Sequence, residues 1–182
     1  MQQTLAYEYE KENIAYWTNR APGYSEVNRQ ELRSGQRGVW GRTLAEAIAD
    51  HYPGRKRQDI AVLDIGTGPG FFAIILAEMG FVVTAVDYTD SMLDKARANA
   101  GKWRDQICFR KMNAEELTFA PESFDVIVSR NLTWNLHDPK KAYQSWERVL
   151  KSGGLLLNFD ANWYRYLYDE KAMEGYRRDR EN

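Results

Sequence analysis

The sequence predicts an α/β fold in three layers, a parallel sheet with helices on both faces. Three observations carry the prediction. The short apolar runs at residues 60–65 and 81–86 lack the polar alternation of a sheet with one wet face, as strands buried on both sides do. Helix-length segments stand between the strand-like runs, the alternation that a parallel sheet requires. The first run ends in Gly66-Thr67-Gly68-Pro69-Gly70 and passes straight into the apolar segment 71–79, a strand–turn–helix unit.

The elements follow in order. Residues 1–37 form a polar region bearing aromatic residues, with helices expected over 5–17 and 26–32 and a flexible link over 33–38. Trp40, Leu44, Ala47, Ile48 and Tyr52 recur at helical spacing until Pro53-Gly54 stops the helix. Strand one (60–65), the glycine turn, a helix (71–79) and strand two (81–87) come next. Thr89-Asp90-Ser91 caps a helix expected from Met92, with Leu93, Ala96 and Ala100 along one face. Residues 107–112 and 124–129 read as strands three and four. Asp138-Pro139 is a cap followed by proline at the first helical position, opening the helix of Ala142, Tyr143, Trp146 and Val149. Residues 150–157 make strand five, and 164–178 are expected to be a closing helix.

Composition narrows the classes. At 182 residues and 43% apolar, the chain is one domain. Its 25 basic and 26 acidic residues leave a net charge of −1, which argues against nucleic acid as a partner, since phosphate contacts need a concentrated basic surface. Arg55-Lys56-Arg57 is a solvated turn. The single Cys108 has no internal disulfide partner, which suits a reducing, cytoplasmic location. No apolar run approaches the ~20 residues of a membrane span. No His, Cys and Asp cluster has metal-ligand spacing, so no metal is expected.

The turn itself implies a ligand. Glycine alternation after a strand, followed by a helix, aims unpaired N–H groups and the positive end of a helix dipole at one point. A dinucleotide fingerprint needs a third glycine at position 71, where this chain has Phe71. A nicotinamide- or flavin-dependent oxidoreductase is therefore the weaker alternative.

Asp64-x-Gly66-x-Gly68-x-Gly70 resembles the first motif of class I S-adenosylmethionine (SAM) dependent methyltransferases. Asp87 at the end of strand two, Asn113-Ala114-Glu115, Phe124-Asp125-Val126-Ile127 and Leu150-Lys151-Ser152-Gly153-Gly154 resemble that family's later motifs in order, over about residues 38–162. Tyr16-Trp17, Arg20-Ala21 and Tyr24-Ser25, together with Ser129-Arg130-Asn131-Leu132-Thr133-Trp134, are similar to its small-molecule, type 11 branch.

The resemblance implies a Rossmann-like sandwich with sheet order 3-2-1-4-5, a SAM-binding domain at 38–182 and a helical lid at 1–37. It implies SAM as cofactor, S-adenosylhomocysteine as product and a small-molecule methyl acceptor. Cofactor contacts are then expected at Asp64, Gly66, Thr67, Gly68 and Gly70, with Asp87 on the ribose. Tyr88 and Met92 would flank the adenine, Asn113 (where the family usually has Asp) would accept its amine, and Ala114 and Glu115 would meet its edge. Arg130 would offer its backbone carbonyl to the ammonium, its side chain incidental. Tyr16 would close over the sulfonium and Arg20 would pair with the carboxylate. His137 and Tyr24 are the candidate proton acceptors; a plain surface position competes for His137.

Two family strands beyond the fifth have no counterpart, so either the chain is a truncated version of the family fold or a second copy covers the edge at residues 155–159. SAM binding without catalysis is the remaining alternative.

Overall fold

The computed structural model describes residues 2–162 and 165–181. Five strands, β1 (Ala61–Ile65), β2 (Val82–Asp87), β3 (Ile107–Lys111), β4 (Phe124–Arg130) and β5 (Leu150–Phe159), form one sheet in the order β3-β2-β1-β4-β5. Every neighbouring pair is parallel, as expected.

Residue alternation sorts the apolar side chains into two cores. Val62, Val83, Ala85, Val126 and Val128 face one way, onto Leu44 and Ile48 of α2 (Gly35–His51) and the Phe71, Phe72 and Ile75 side chains of α3 (Phe71–Glu78). Leu63, Ile65, Val86 and Ile127 face the other way, onto Ala142, Trp146 and Val149 of α5 (Pro139–Val149). Both faces of the central strands are thus covered, which is why their sequences read as unbroken apolar runs. The Asp138 side chain accepts the Lys141 N–H (3.0 Å) and Pro139 opens α5, as the sequence predicts.

The N-terminal region departs from expectation. A single helix, α1 (Gln2–Arg33), runs through Pro22 and Gly23 where two helices were predicted. Tertiary burial overrides the weak propensity there: Ala21, Ser25 and Asn28 are buried, and Ser25 meets Asn99 of α4 (Asp90–Ala100). The predicted link at 33–38 is also helical beyond one residue. Ser34 alone is extended, and its hydroxyl caps α2 by accepting the Gln36 N–H (3.2 Å). Helix α2 therefore runs across residues 37 and 38.

Helix α4 starts at Asp90, two residues before Met92, because Thr89 turns its hydroxyl back to Asp87. The closing helix, α6 (Glu170–Glu181), begins later than predicted, where Asp169 accepts the Ala172 N–H (2.9 Å). Tyr164 lies outside the described residues. On β5, Leu156 is exposed, and among the described residues no strand pairs with its outer edge.

Candidate cofactor site

The carboxyl ends of β1, β2 and β4 open into a cavity of about 730 Å³, roofed by α1. In open parallel sheets ligands sit at this edge, where the chain leaves strands in opposite directions. The turn after β1 holds Gly66, Gly68 and Gly70 at φ of +67°, +51° and +94°, conformations that side chains disfavour. The three glycines do different work. A β-carbon on Gly66 would come within 2.8 Å of Leu132, and one on Gly70 would press Ala96 at 3.2 Å. At Gly68 the nearest atom would be 3.9 Å away, on the Tyr24 ring, so this glycine leaves its backbone open to the cavity. Gly70 packs against α4 and does not line the cavity, where a cofactor contact was expected.

Asp64 is buried under the turn. Its Oδ2 accepts the Thr67 hydroxyl (2.6 Å) and the Ala73 N–H in the first turn of α3 (3.0 Å). Burial, with a smaller contribution from Asp87, pushes its carboxyl up to about 7. Asp87 accepts the Gly68 N–H (2.9 Å) on one oxygen and the Thr89 N–H and hydroxyl (3.0 and 2.9 Å) on the other. Burial pushes this carboxyl above its ordinary value too, opposed by those donors. The carboxylate is thereby held rigidly at the end of β2, facing the cavity.

The loop after β3 closes on itself. Asn113 Oδ1 accepts the Glu115 N–H (2.9 Å), and the Glu115 carboxylate accepts the N–H groups of His137 and Asp138 (2.8 and 3.0 Å). Trp146 donates its indole N–H to the Ala114 carbonyl (2.8 Å). Asn113, Ala114, Glu115, Tyr88 and Met92 all line the cavity.

Helix α1 supplies the roof, and much of it was missed in the sequence. Its inner face carries Glu10, Asn13, Ile14, Trp17, Tyr24, Asn28 and Glu31, each with another of the group three, four or seven positions away. Trp17 meets Tyr24 edge-on, with ring centroids 5.7 Å apart. Tyr16 and Arg20 lie outside the cavity wall, although Tyr16 also meets the Trp17 ring edge-on at 5.1 Å. They pair with each other on an outer flank, the Arg20 guanidinium 5.9 Å from the Tyr16 ring, and Tyr16 is 51% exposed. Neither lines the cavity, where both were expected to meet the cofactor.

The Arg130 side chain is far from incidental. Its guanidinium forms a bidentate pair with Glu31 of α1 (3.0 and 2.7 Å) and lies 4.7 Å from the Phe71 ring. At the far end, Tyr88 donates to Glu10 in a short hydrogen bond, and burial, followed by that carboxylate, makes the phenol harder to ionise than usual. The Tyr9 hydroxyl donates to the Asn135 carbonyl (3.1 Å), and its ring packs on His137, which sits exposed at the rim. Only an i, i+3, i+4 tally of polar residues along α1 hints at this face.

A family described as a methyltransferase domain, of the type 11 kind, matches residues 63–158. The chain belongs to this family. Over 109 residues the domain is 32% identical to the ubiquinone biosynthesis O-methyltransferase of Coxiella burnetii, a match covering 59% of this chain and 47% of that protein. The demethylmenaquinone methyltransferase of Renibacterium salmoninarum is 32% identical over 169 residues, 90% of this chain and 67% of the relative. A solved structure of a SAM-dependent methyltransferase candidate from Methanococcus maripaludis superposes with a TM-score of 0.64 at 24% identity, covering 85% and 70% of the two chains. At that identity the likeness speaks to the fold alone.

The chain spans about half the length of the ubiquinone-pathway relatives it matches. The cofactor that goes with this family and fold is SAM. Among the described residues no helix is long and apolar enough to cross a membrane, and no cluster of His, Cys, Asp and Glu could hold a metal ion.

Proposed function

We propose that this methyltransferase domain holds SAM across the ends of β2, β1 and β4 and passes its sulfonium methyl to a small-molecule acceptor. The observation that carries the proposal is the pairing of Gly68 with Asp87. An unshielded backbone stands beside a rigid carboxylate under a large cavity, which suits a ribose hydroxyl pair next to a tight approach to the turn. In the proposed pose Asp87 takes the ribose, Asn113 to Glu115 with Tyr88 and Met92 enclose the adenine, and the methionyl end runs past Thr67 toward Arg130.

Methyl transfer from a sulfonium needs alignment and exclusion of water more than covalent help. Holding the reactants in line accounts for about 7–11 kcal/mol of barrier lowering in well-oriented reactions. The roof of Trp17, Tyr24 and Ile14 supplies an apolar wall for the acceptor. The two quinone-pathway relatives support a hydroxylated ring compound as its class. For a phenolic acceptor, His137 and Tyr24 are the candidate proton acceptors. The reading also includes residues 1–37 as a lid, a cytoplasmic location and a second copy of the chain over the β5 edge.

Calorimetry with SAM tests the cofactor. Asp87→Ala should weaken binding by about 1.5–3 kcal/mol, the worth of a charge-assisted hydrogen bond. Unchanged affinity would sink the assignment. Labelled SAM offered with hydroxylated quinones, amines and carboxylic acids then identifies the acceptor.

A further inference from the structure

At the adenine end of the cavity, the acceptors native to the loops are partly committed, the Glu115 carboxylate through Oε1 alone. Asn113 Oδ1 and the Glu115 carboxylate accept backbone N–H groups, and the Ala114 carbonyl accepts an indole N–H. Asp87 holds the Gly68 and Thr89 donors, and its remaining acceptor capacity goes to the ribose in the pose above. A carboxylate of the roof also reaches this place. Glu10 of α1 lines the cavity, accepts the Tyr88 hydroxyl in a short hydrogen bond and lies 3.4 Å from Asn113 Nδ2. Both contacts use Oε1 and neither uses Oε2. An ionised carboxylate offers about four acceptor positions, so Glu10 retains capacity for a donor from a ligand.

We propose that Glu10 accepts the exocyclic amine of the cofactor's adenine, so that a residue of α1 sets the specificity of the site for a 6-amino purine. This rests on the SAM reading above. The 6-amino group only donates at that position. A 6-oxo purine would set oxygen against carboxylate, two acceptors with no hydrogen between them. A polar site built for a donor rejects such an analogue because its buried groups are left unpaired. The Tyr88 and Asn113 contacts keep the carboxylate in place before the ligand arrives.

The test is calorimetry on the full chain with S-adenosylhomocysteine and its 6-oxo counterpart, S-inosylhomocysteine. The unaltered protein should prefer the 6-amino ligand by about 10- to 100-fold. Glu10→Ala should bring the two affinities to within about threefold, chiefly by losing the adenosyl ligand. Adding Asn113→Asp to that variant should restore the preference, because Asp keeps one oxygen for the Glu115 N–H and offers the other.

A preference unchanged in Glu10→Ala, or both ligands weakened equally, overturns the proposal. Where Glu10→Ala binds neither ligand, recovery of the adenosyl preference in the double variant upholds it and failure to recover overturns it. An unaltered chain that binds neither SAM nor S-adenosylhomocysteine instead overturns the cofactor reading itself.

Discussion

Asp125 and Asp64 are both buried in the sheet, at opposite edges, and the protein treats them in opposite ways. At the amino edge, Asp125 of β4 accepts the Ala61 N–H (2.8 Å) and pairs with Arg55 (2.7 Å) and Lys151 (2.9 Å). Burial pushes its carboxyl up, but the N–H and the two cations outweigh it and hold the group below the ordinary carboxylate range. At the carboxyl edge, Asp64 of β1 receives a hydroxyl and an N–H but no ion pair among the described residues, and burial raises it to about 7. One acid is neutralised by the chain itself. The other is left for a ligand to complete, which suits a cofactor bearing a sulfonium and an ammonium. The ion pairs concentrate at one edge and the cavity lies at the other.

The largest effect that tests this contrast is expected at Asp125. Asp125→Ala strands the Ala61 N–H and two partly exposed cations, and should cost about 3 kcal/mol in urea denaturation. A loss below about 1 kcal/mol would mean that the amino edge is no more structural than the other.

Gly66→Ala comes next. Its φ of +67° and the 2.8 Å approach to Leu132 combine backbone strain with overpacking, for about 2–3 kcal/mol of lost stability.

Asp64→Asn should act with the opposite sign. Asp64 has a folded-state value of about 7 against an ordinary 3.8, so the folded chain keeps a proton that the unfolded chain releases. Its contribution is complete below the ordinary value and is lost as pH rises through about 7. The neutral amide should therefore stabilise the ligand-free protein by about 1–2 kcal/mol at pH 8 and flatten stability against pH between 4 and 7, while weakening SAM binding. For Asp125 the slope is reversed, since its stabilisation is present above the ordinary carboxylate range and lost as pH falls. Melting curves across pH 4–8 on both variants separate the two acids.

The smallest effect is at Gly23, in the interior of α1, where an added β-carbon meets nothing within 4 Å. Gly23→Ala should stabilise by about 0.5–1 kcal/mol, read as a rise in Tm, in contrast to the alanine at Gly66. Hydrogen exchange over residues 10–30, with and without SAM, shows whether this roof also closes on the cofactor.

Much of the carboxyl edge was legible in the sequence. The turn of Gly66, Gly68 and Gly70 and the acid at the end of β2 follow from patterns a few residues long, and the sheet order from the family resemblance those patterns carry. The separate duties of the glycines were not: Gly70 meets α4 rather than the cavity, and Leu132 is what forbids a side chain at Gly66. The roof was least legible. The sequence marks Tyr16, Trp17, Arg20 and Tyr24 as one aromatic group, yet only Trp17 and Tyr24 turn inward. Arg130 was credited with its backbone, while its side chain anchors α1 through Glu31.

By itself the sequence determined which segments are buried strands, where the chain must turn with positive φ and which acid stands at the end of β2. Those properties depend on side-chain period and on the steric freedom of glycine, which act locally. Only the tertiary structure decided which flank of α1 faces the cavity and that Glu10 meets Asn113 across 103 positions. It also decided that Asp125 gains two cations while Asp64 gains none. The physical reason is that helix rotation and ion pairing are set by contacts between distant elements, and no local pattern records the partner.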